Sequence, residues 1–299
     1  MFPKGIIAIP CTPYHEDMSL DFDSLINEVQ FIVNAGANGI AYPIMASEFY
    51  VLSDQERKQA VETVIKAVDG SIPVCVGVTG QNIHNSLELA DHAQQAGATG
   101  LISMTPVLHS WHEDDVENYF NLLDEKVSIP LMLQNVEAYG MMPISIPKVV
   151  DIIKHSSNIK DLKEEGMPSI LRMEQAIREG GSHIKGVYGG FGGLQFLDEM
   201  KLGAAGNIMA CEFVDVFSKI YDAWTSENIE VAKNTFCRLL PALVYETKLF
   251  PAFPLSVLQK RGIITNNKPR SVSMSLPKNI LRQIDYYIKD LDDLFVSTH

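Results

Sequence analysis

Eight short apolar runs, each followed by an amphipathic stretch, constrain this chain more than any other feature. The runs are IIAIPC (6–11), GIAYPIM (39–45), PVCVGVTG (73–80), GLISMTP (100–106), PLMLQNV (130–136), IKDLKEE (159–165), HIKGVYGG (183–190) and AGNIMAC (205–211). They are mostly apolar at consecutive positions, as expected of parallel strands covered on both faces. Between them lie helical patterns. Phe22, Leu25, Ile26, Val29 and Val33 recur at three- and four-residue spacing and share one face. Ser53-Asp54-Gln55-Glu56 reads as a capping box, and Ser145-Ile146-Pro147 and Pro168-Ser169 as further helix starts. The echoes AGANGI, AGATGL and LGAAGNI place Gly36, Gly97 and Gly203 where a helix closes in the left-handed conformation. Eight βα units with this junction chemistry predict an α/β fold, a closed (β/α)8 TIM barrel. An open doubly wound sheet is the alternative, but CTPYHED after the first strand is not its glycine-rich fingerprint.

After position 212 the strand signal stops. Helical patterns follow over 213–223, 226–248 (interrupted by Pro241), 254–261 and 277–295. The expected organisation is a barrel over 1–224 and a C-terminal helical bundle over 225–299.

Lys+Arg 24 against Asp+Glu 37 leaves a net charge of −13, which argues against nucleic acid or an anionic membrane as partner. No run reaches the ~18 apolar residues that span a bilayer. The N-terminal stretch reads as a first strand rather than a signal peptide. Cys11, Cys75, Cys211 and Cys237 show no CxxC spacing, and reduced thiols in a cytoplasmic protein are expected.

In such barrels the chemistry sits at the C-terminal strand ends. Lys163 ends an apolar strand, where an amine kept from water loses proton affinity and can attack a carbonyl. A salt-bridged or solvated lysine is the plainer reading of the same position. Lys160, three residues earlier, falls deeper and on the other face, whereas Glu165 shares the face of Lys163. Glu165 could move protons beside an imine or serve only as a charge partner. GGFGG (189–193) reads as a tight turn more readily than as an anion cradle. His84/His92 and His109/His112 lack zinc-ligand spacing, so no metal and no cofactor are expected.

In order and spacing, GIIAIPCTPY, NGIAYPI, LSDQER (52–57), Lys163-Glu164 and LSVLQKRGII (255–264) resemble the dihydrodipicolinate synthase/N-acetylneuraminate lyase family of class I aldolases. The resemblance covers nearly the whole chain. It implies the barrel, an imine-forming Lys163, a small-molecule keto acid as partner and a homo-oligomer, tetramer or dimer. The family's G-[ST]-T-G-E loop aligns with Met45-Ala46-Ser47-Glu48. Its two carboxylate-holding hydroxyl residues are thus replaced by Met45 and Ala46, and Ser47 is expected to supply a hydroxyl and a backbone N–H instead. The family's paired tyrosines fall at Val107 and Leu108, and its strand-five tyrosine at Gln134; no arginine follows in NVEAYG.

These departures speak against a dihydrodipicolinate synthase. Ser47-Glu48, Gln134-Asn135-Val136 and Lys163-Glu164-Glu165 look similar to the branch containing 2-keto-3-deoxy-L-arabonate dehydratase. That placement implies a Schiff-base hydro-lyase for a 2-keto-3-deoxy sugar acid. Lys163, Glu165 and Gln134 would be catalytic, with Ala46, Ser47, Tyr188 and Gly189 binding substrate. Two alternatives stand beside it. One is a pyruvate-dependent aldolase relaying protons through water or Tyr139; the other, prompted by the missing hydroxyls, is a keto-acid-binding protein without catalysis. His109, Trp111 and Tyr188 would bear on substrate length and stereochemistry.

Overall fold

Each of the eight apolar runs coincides with a strand in the computed structural model, β1 beginning one residue before its run; the structure describes residues 2–106, 112–137, 143–271 and 275–297. The strands are β1 (Gly5–Ile9), β2 (Gly39–Tyr42), β3 (Val74–Gly77), β4 (Gly100–Ser103), β5 (Leu131–Val136), β6 (Ile159–Glu165), β7 (Gly186–Gly189) and β8 (Gly206–Ala210). They form one closed barrel in sequence order, as the repeat of βα units predicts. The helices between them are α1 (Phe22–Asn34), α2 (Asp54–Val68), α3 (Ile83–Ala96), α4 (Glu113–Lys126), α5 (Ile146–His155), α6 (Ser169–Gly180) and α7 (Phe196–Lys201). After β8 come α8 (Val214–Thr225), α9 (Ile229–Leu249), α10 (Ala252–Lys260) and α11 (Lys278–Leu291).

Local signals account for many of the boundaries. Ser53 and Glu56 form the expected reciprocal cap, with the Glu56 amide donating to Ser53 Oγ at 3.3 Å and the Ser53 amide to Glu56 Oε2 at 2.9 Å. Gly36, Gly97 and Gly203 take φ of 79°, 97° and 90°, where a side chain would be strained. Pro241 does not interrupt α9, contrary to the pattern reading. It sits on the exposed side of the helix, where the carbonyl that loses its donor can turn to water, while Leu239, Ala242 and Leu243 hold the buried side.

The chain divides into two compact units, one of Met1–Lys4 with Pro73–Ile208 and one of Gly5–Ile72 with Met209–His299. In the first, β5 and β6 make the most extensive strand pairing. In the second, α8 packs on β1 and on α9. Among the described residues no helix is long and apolar enough to cross a membrane.

The second unit buries an acidic cluster. The Cys11 amide and the Cys211 thiol both donate to Glu28 Oε2, at 2.8 and 3.3 Å. Burial pushes the Glu28 carboxyl well up, and the hydrogen bond to Cys211 together with burial does the same to the Cys11 thiol. Beside them Glu212 and Glu246 form a carboxyl pair that can hydrogen-bond only while one of them keeps its proton. Burial raises Glu212 to about 7, and burial with the neighbouring Glu212 raises Glu246 well above the usual range.

A carboxyl whose folded pKa lies above its unfolded value stabilises fully below the unfolded value. That contribution fades as pH rises through the folded one. For Glu212 the window runs from about 4.5 to about 7, and the loss is on the order of 3 kcal/mol. Thermal unfolding should therefore show Tm falling between pH 5 and 8. Glu246→Gln should flatten that slope and raise Tm at pH 8; an unchanged slope would refute the assignment.

Candidate active site

In β5 and β6 the register sets Gln134 opposite Lys163, Asn135 opposite Glu164 and Val136 opposite Glu165. Successive side chains point to opposite faces of a strand. Asn135 and Glu164 face the helices. Asn135 Nδ2 donates to the Ile144 carbonyl at 3.0 Å and to Glu164 Oε2 at 2.8 Å, and its Oδ1 accepts from the Ile144 amide at 2.8 Å. Arg172 of α6 donates through Nε to Glu164 Oε1 at 2.8 Å. Gln134, Lys163 and Glu165 therefore face the barrel interior, with Glu165 at the C-terminal end of its strand.

Lys163 is 2% exposed, and its Nζ lies 3.1 Å from Glu165 Oε2. The same oxygen accepts a hydrogen bond from Gln134 Nε2 at 2.7 Å. The other, Oε1, accepts from the Phe191 amide, just past β7, at 3.2 Å. A Cβ on Gly190 would lie 1.9 Å from Glu165 Oε1, so only glycine lets the carboxylate come this close to the end of β7. An amine kept from water, with a carboxylate in reach to exchange its proton, is equipped to attack a carbonyl. The carboxylate, held by fixed donors, can then move protons at the neighbouring carbons.

Behind β7 stands Glu199 of α7. Its Oε2 would be 2.0 Å from a Cβ on Gly189, and it accepts from Asn207 Nδ2 at 2.6 Å. Burial raises this carboxyl to about 7, with the nearby Glu165 and Asp198 adding and Asn207 and Lys163 opposing.

The other residues singled out from the sequence are placed as follows. Lys160 donates to the carbonyls of Ile153 and Ser156 at the end of α5, so it serves that helix and not the barrel interior. Gly189 lies at the end of β7 with its Cα toward Glu199, on the helix side of the strand. Tyr188 does share the interior face, but its ring leans toward the start of β7, and its hydroxyl donates to the Phe2 and Pro3 carbonyls at 3.3 and 3.2 Å. The alternation predicted its face and not the direction of its lean, which sends the hydroxyl away from Glu165. Ala46 and Ser47 lie in a short 3-10 turn, Met45–Ser47, in the second unit. There both groups expected to meet substrate are engaged inside the chain: Ser47 Oγ donates to the Pro10 carbonyl at 2.8 Å and its amide to the Ile44 carbonyl at 2.9 Å. Val107, Leu108, His109, Trp111 and Tyr139 lie outside the described residues.

Arg172, Glu199 and Asn207 were not anticipated. For Arg172 a signal existed. Three consecutive ionisable residues, Lys163-Glu164-Glu165, in a strand covered on both faces oblige one of them to meet the helix layer, where a buried carboxylate needs a cation. Burial raises the Glu164 pKa, and Arg172 opposes the rise. Arg172→Ala should cost about 3 kcal/mol in urea unfolding, because it leaves that carboxyl uncompensated. Adding Glu164→Gln should recover part of the loss; simple additivity of the two costs would refute the pairing.

Among the described residues, Cys11, Glu28 and Cys211 have ligand atoms within 4.8 Å of one another, a spacing that could hold a metal ion. Within that cluster Glu28 Oε2 accepts from the Cys11 amide and the Cys211 thiol, while the buried Glu28 Oε1 has no hydrogen-bond partner among the described residues.

The model of the dihydrodipicolinate synthetase family matches residues 2–290. The chain is 23% identical over 295 residues to an L-2-keto-3-deoxyarabonate dehydratase of Azospirillum brasilense, covering 97% of this chain and 95% of that one. It is 26% identical over 241 residues to a probable 2-dehydro-3-deoxy-D-pentonate aldolase of Escherichia coli, covering 79% of each. In fold it is similar to the dihydrodipicolinate synthase of Aquifex aeolicus, with a TM-score of 0.89 at 20% identity over 99% of this chain and 100% of that one.

Proposed function

This chain belongs to the dihydrodipicolinate synthetase family, and on that premise we propose that it is a Schiff-base hydro-lyase that dehydrates a 2-keto-3-deoxy sugar acid. The observation that carries the proposal is the interior triad. Lys163 Nζ is 3.1 Å from Glu165 Oε2, and Gln134, not a phenol, donates to that carboxylate at 2.7 Å.

The amine of Lys163, having passed its proton to Glu165, attacks the C2 ketone; Glu165 returns the proton to the C2 oxygen, which leaves as water, so that a protonated imine and the Glu165 carboxylate remain. The imine acidifies the C3 protons. Glu165, as carboxylate, takes one and then returns it to the C4 hydroxyl, which departs as water. Hydrolysis of the conjugated imine releases product and restores the amine. Carbon–carbon cleavage makes a different demand, because a base must first take the C4 hydroxyl proton. A phenol with reference pKa ~10 can relay that proton, and a glutamine amide cannot titrate in this range. Gln134 suits orientation instead, through its hydrogen bond to Glu165. Similarity to the Azospirillum dehydratase along nearly the whole chain supports the same reading.

Incubation with 2-keto-3-deoxy pentonates and hexonates, with products identified by mass, tests it. Loss of 18 Da per substrate, the mass of one water, is the expected result; release of pyruvate and an aldehyde would replace this reading with the aldolase. Turnover of none of them, with keto acids still bound, would leave the non-catalytic binding protein. Within the same proposal, residues 1–224 form the barrel and 225–299 the appended helices; the family resemblance supports a dimer or tetramer, and the scattered cysteines, without CxxC spacing, support a cytoplasmic protein.

A further inference from the structure

We infer that Glu199 is a positioning residue for the reaction proposed above, on which this inference rests: through Asn207 and the Gly190–Phe191 peptide it aims the hydrogen bond that holds the Glu165 carboxylate. The chain of contacts is continuous. Glu199 Oε2 accepts from Asn207 Nδ2 at 2.6 Å, and the same nitrogen, which carries two hydrogens, also donates to the Gly190 carbonyl at 3.4 Å. The Gly190 carbonyl and the Phe191 N–H belong to one planar peptide, so fixing the first fixes the direction of the second. The Phe191 N–H donates to Glu165 Oε1 at 3.2 Å.

Among the described residues nothing else orients Asn207. It is fully buried, and its Oδ1 has no hydrogen-bond partner, so its amide is held by the two contacts of Nδ2 alone. Glu199 is itself 3% exposed and pressed against Gly189, where no side chain could stand. Keeping a carboxyl there is costly without a cation on it. The charged groups that bear on Glu199 are Glu165 and Lys163 from β6 and Asp198 from its own helix, while β8 contributes the neutral Asn207.

Pyruvate, in D2O, is the probe. Borohydride trapping reports the imine at Lys163, and proton NMR of methyl exchange reports Glu165 acting as base on it. Glu199→Gln keeps the acceptor for Asn207 and should trap normally and exchange within about threefold of wild type. Glu199→Ala should trap normally yet exchange about 10²-fold more slowly at every pH, since a small misplacement of a catalytic group costs that much. Exchange in Glu199→Gln as slow as in Glu199→Ala, or wild-type exchange in Glu199→Ala, would overturn the inference and leave the proposed function standing; should Glu199→Ala fail to fold, Asn207→Ala, which removes the same link to the Gly190 carbonyl and should slow exchange equally, decides in its place. If the wild type is not trapped at all, the imine reading fails and this inference fails with it.

Discussion

Lys163→Arg should yield a folded protein that forms no borohydride-stable adduct with pyruvate or any 2-keto-3-deoxy acid and turns over none of them above background. The substitution separates two readings of one contact. Arginine stays protonated and can keep an ion pair with Glu165, which lies 3.1 Å from Lys163 Nζ, so a purely structural salt bridge would survive it. It cannot condense with a ketone, so an imine mechanism would not. Adduct mass by intact-protein spectrometry after reduction, with Tm measured alongside, gives the answer. Adduct formation by Lys163→Arg would place the reacting amine elsewhere and remove the basis of the proposed reaction. A second comparison sharpens this. Lys163→Met also abolishes the adduct, but leaves the Glu165 carboxylate, only 7% exposed, with Gln134 and the Phe191 amide as its remaining partners. It should therefore lose more stability than Lys163→Arg, because breaking a buried pair strands the remaining charge.

Glu165→Gln should separate imine formation from elimination. The adduct should form more slowly but still accumulate during trapping, because water can take the Lys163 proton in place of Glu165, while dehydration should slow by about 10²–10⁴-fold, the usual worth of a positioned acid–base group. Methyl exchange of bound pyruvate should fall in parallel, since both steps use the same carboxylate at C3. Wild-type dehydration by this variant would reduce Glu165 to a charge partner. Loss of trapping as well would mean that no other acceptor can replace Glu165 in taking the proton from Lys163 before it attacks.

The part of this site on β6 was legible in the amino-acid order because alternation is a local rule. Lys163 and Glu165, two residues apart, had to share a face, and Lys160 had to leave it. Gln134 followed from the resemblance, and the register of β5 with β6 brings it to Glu165. Tyr188 shows the limit of such reasoning. Alternation predicts a face, but the lean of an aromatic ring along its strand depends on the room around it, here beside Gly186 and below the Phe2 and Pro3 carbonyls. Ser47 shows another limit: its hydroxyl reads as an available donor until Pro10, far back in the chain, is seen to accept it.

The sequence by itself determined the number and order of the strands, the caps that begin and end several helices, and the pairing of an amine with a carboxylate on one strand face. All of these are set by neighbours within a few residues, whose periodicity and conformational preferences are written in the local order. Only the tertiary structure decided that Arg172 would answer Glu164, that Pro241 would pass unbroken through α9, and that Glu199 and Asn207 would stand behind Gly190. Those outcomes depend on which groups from distant segments are pressed together without water. A buried polar group must find its partner wherever the packing puts one.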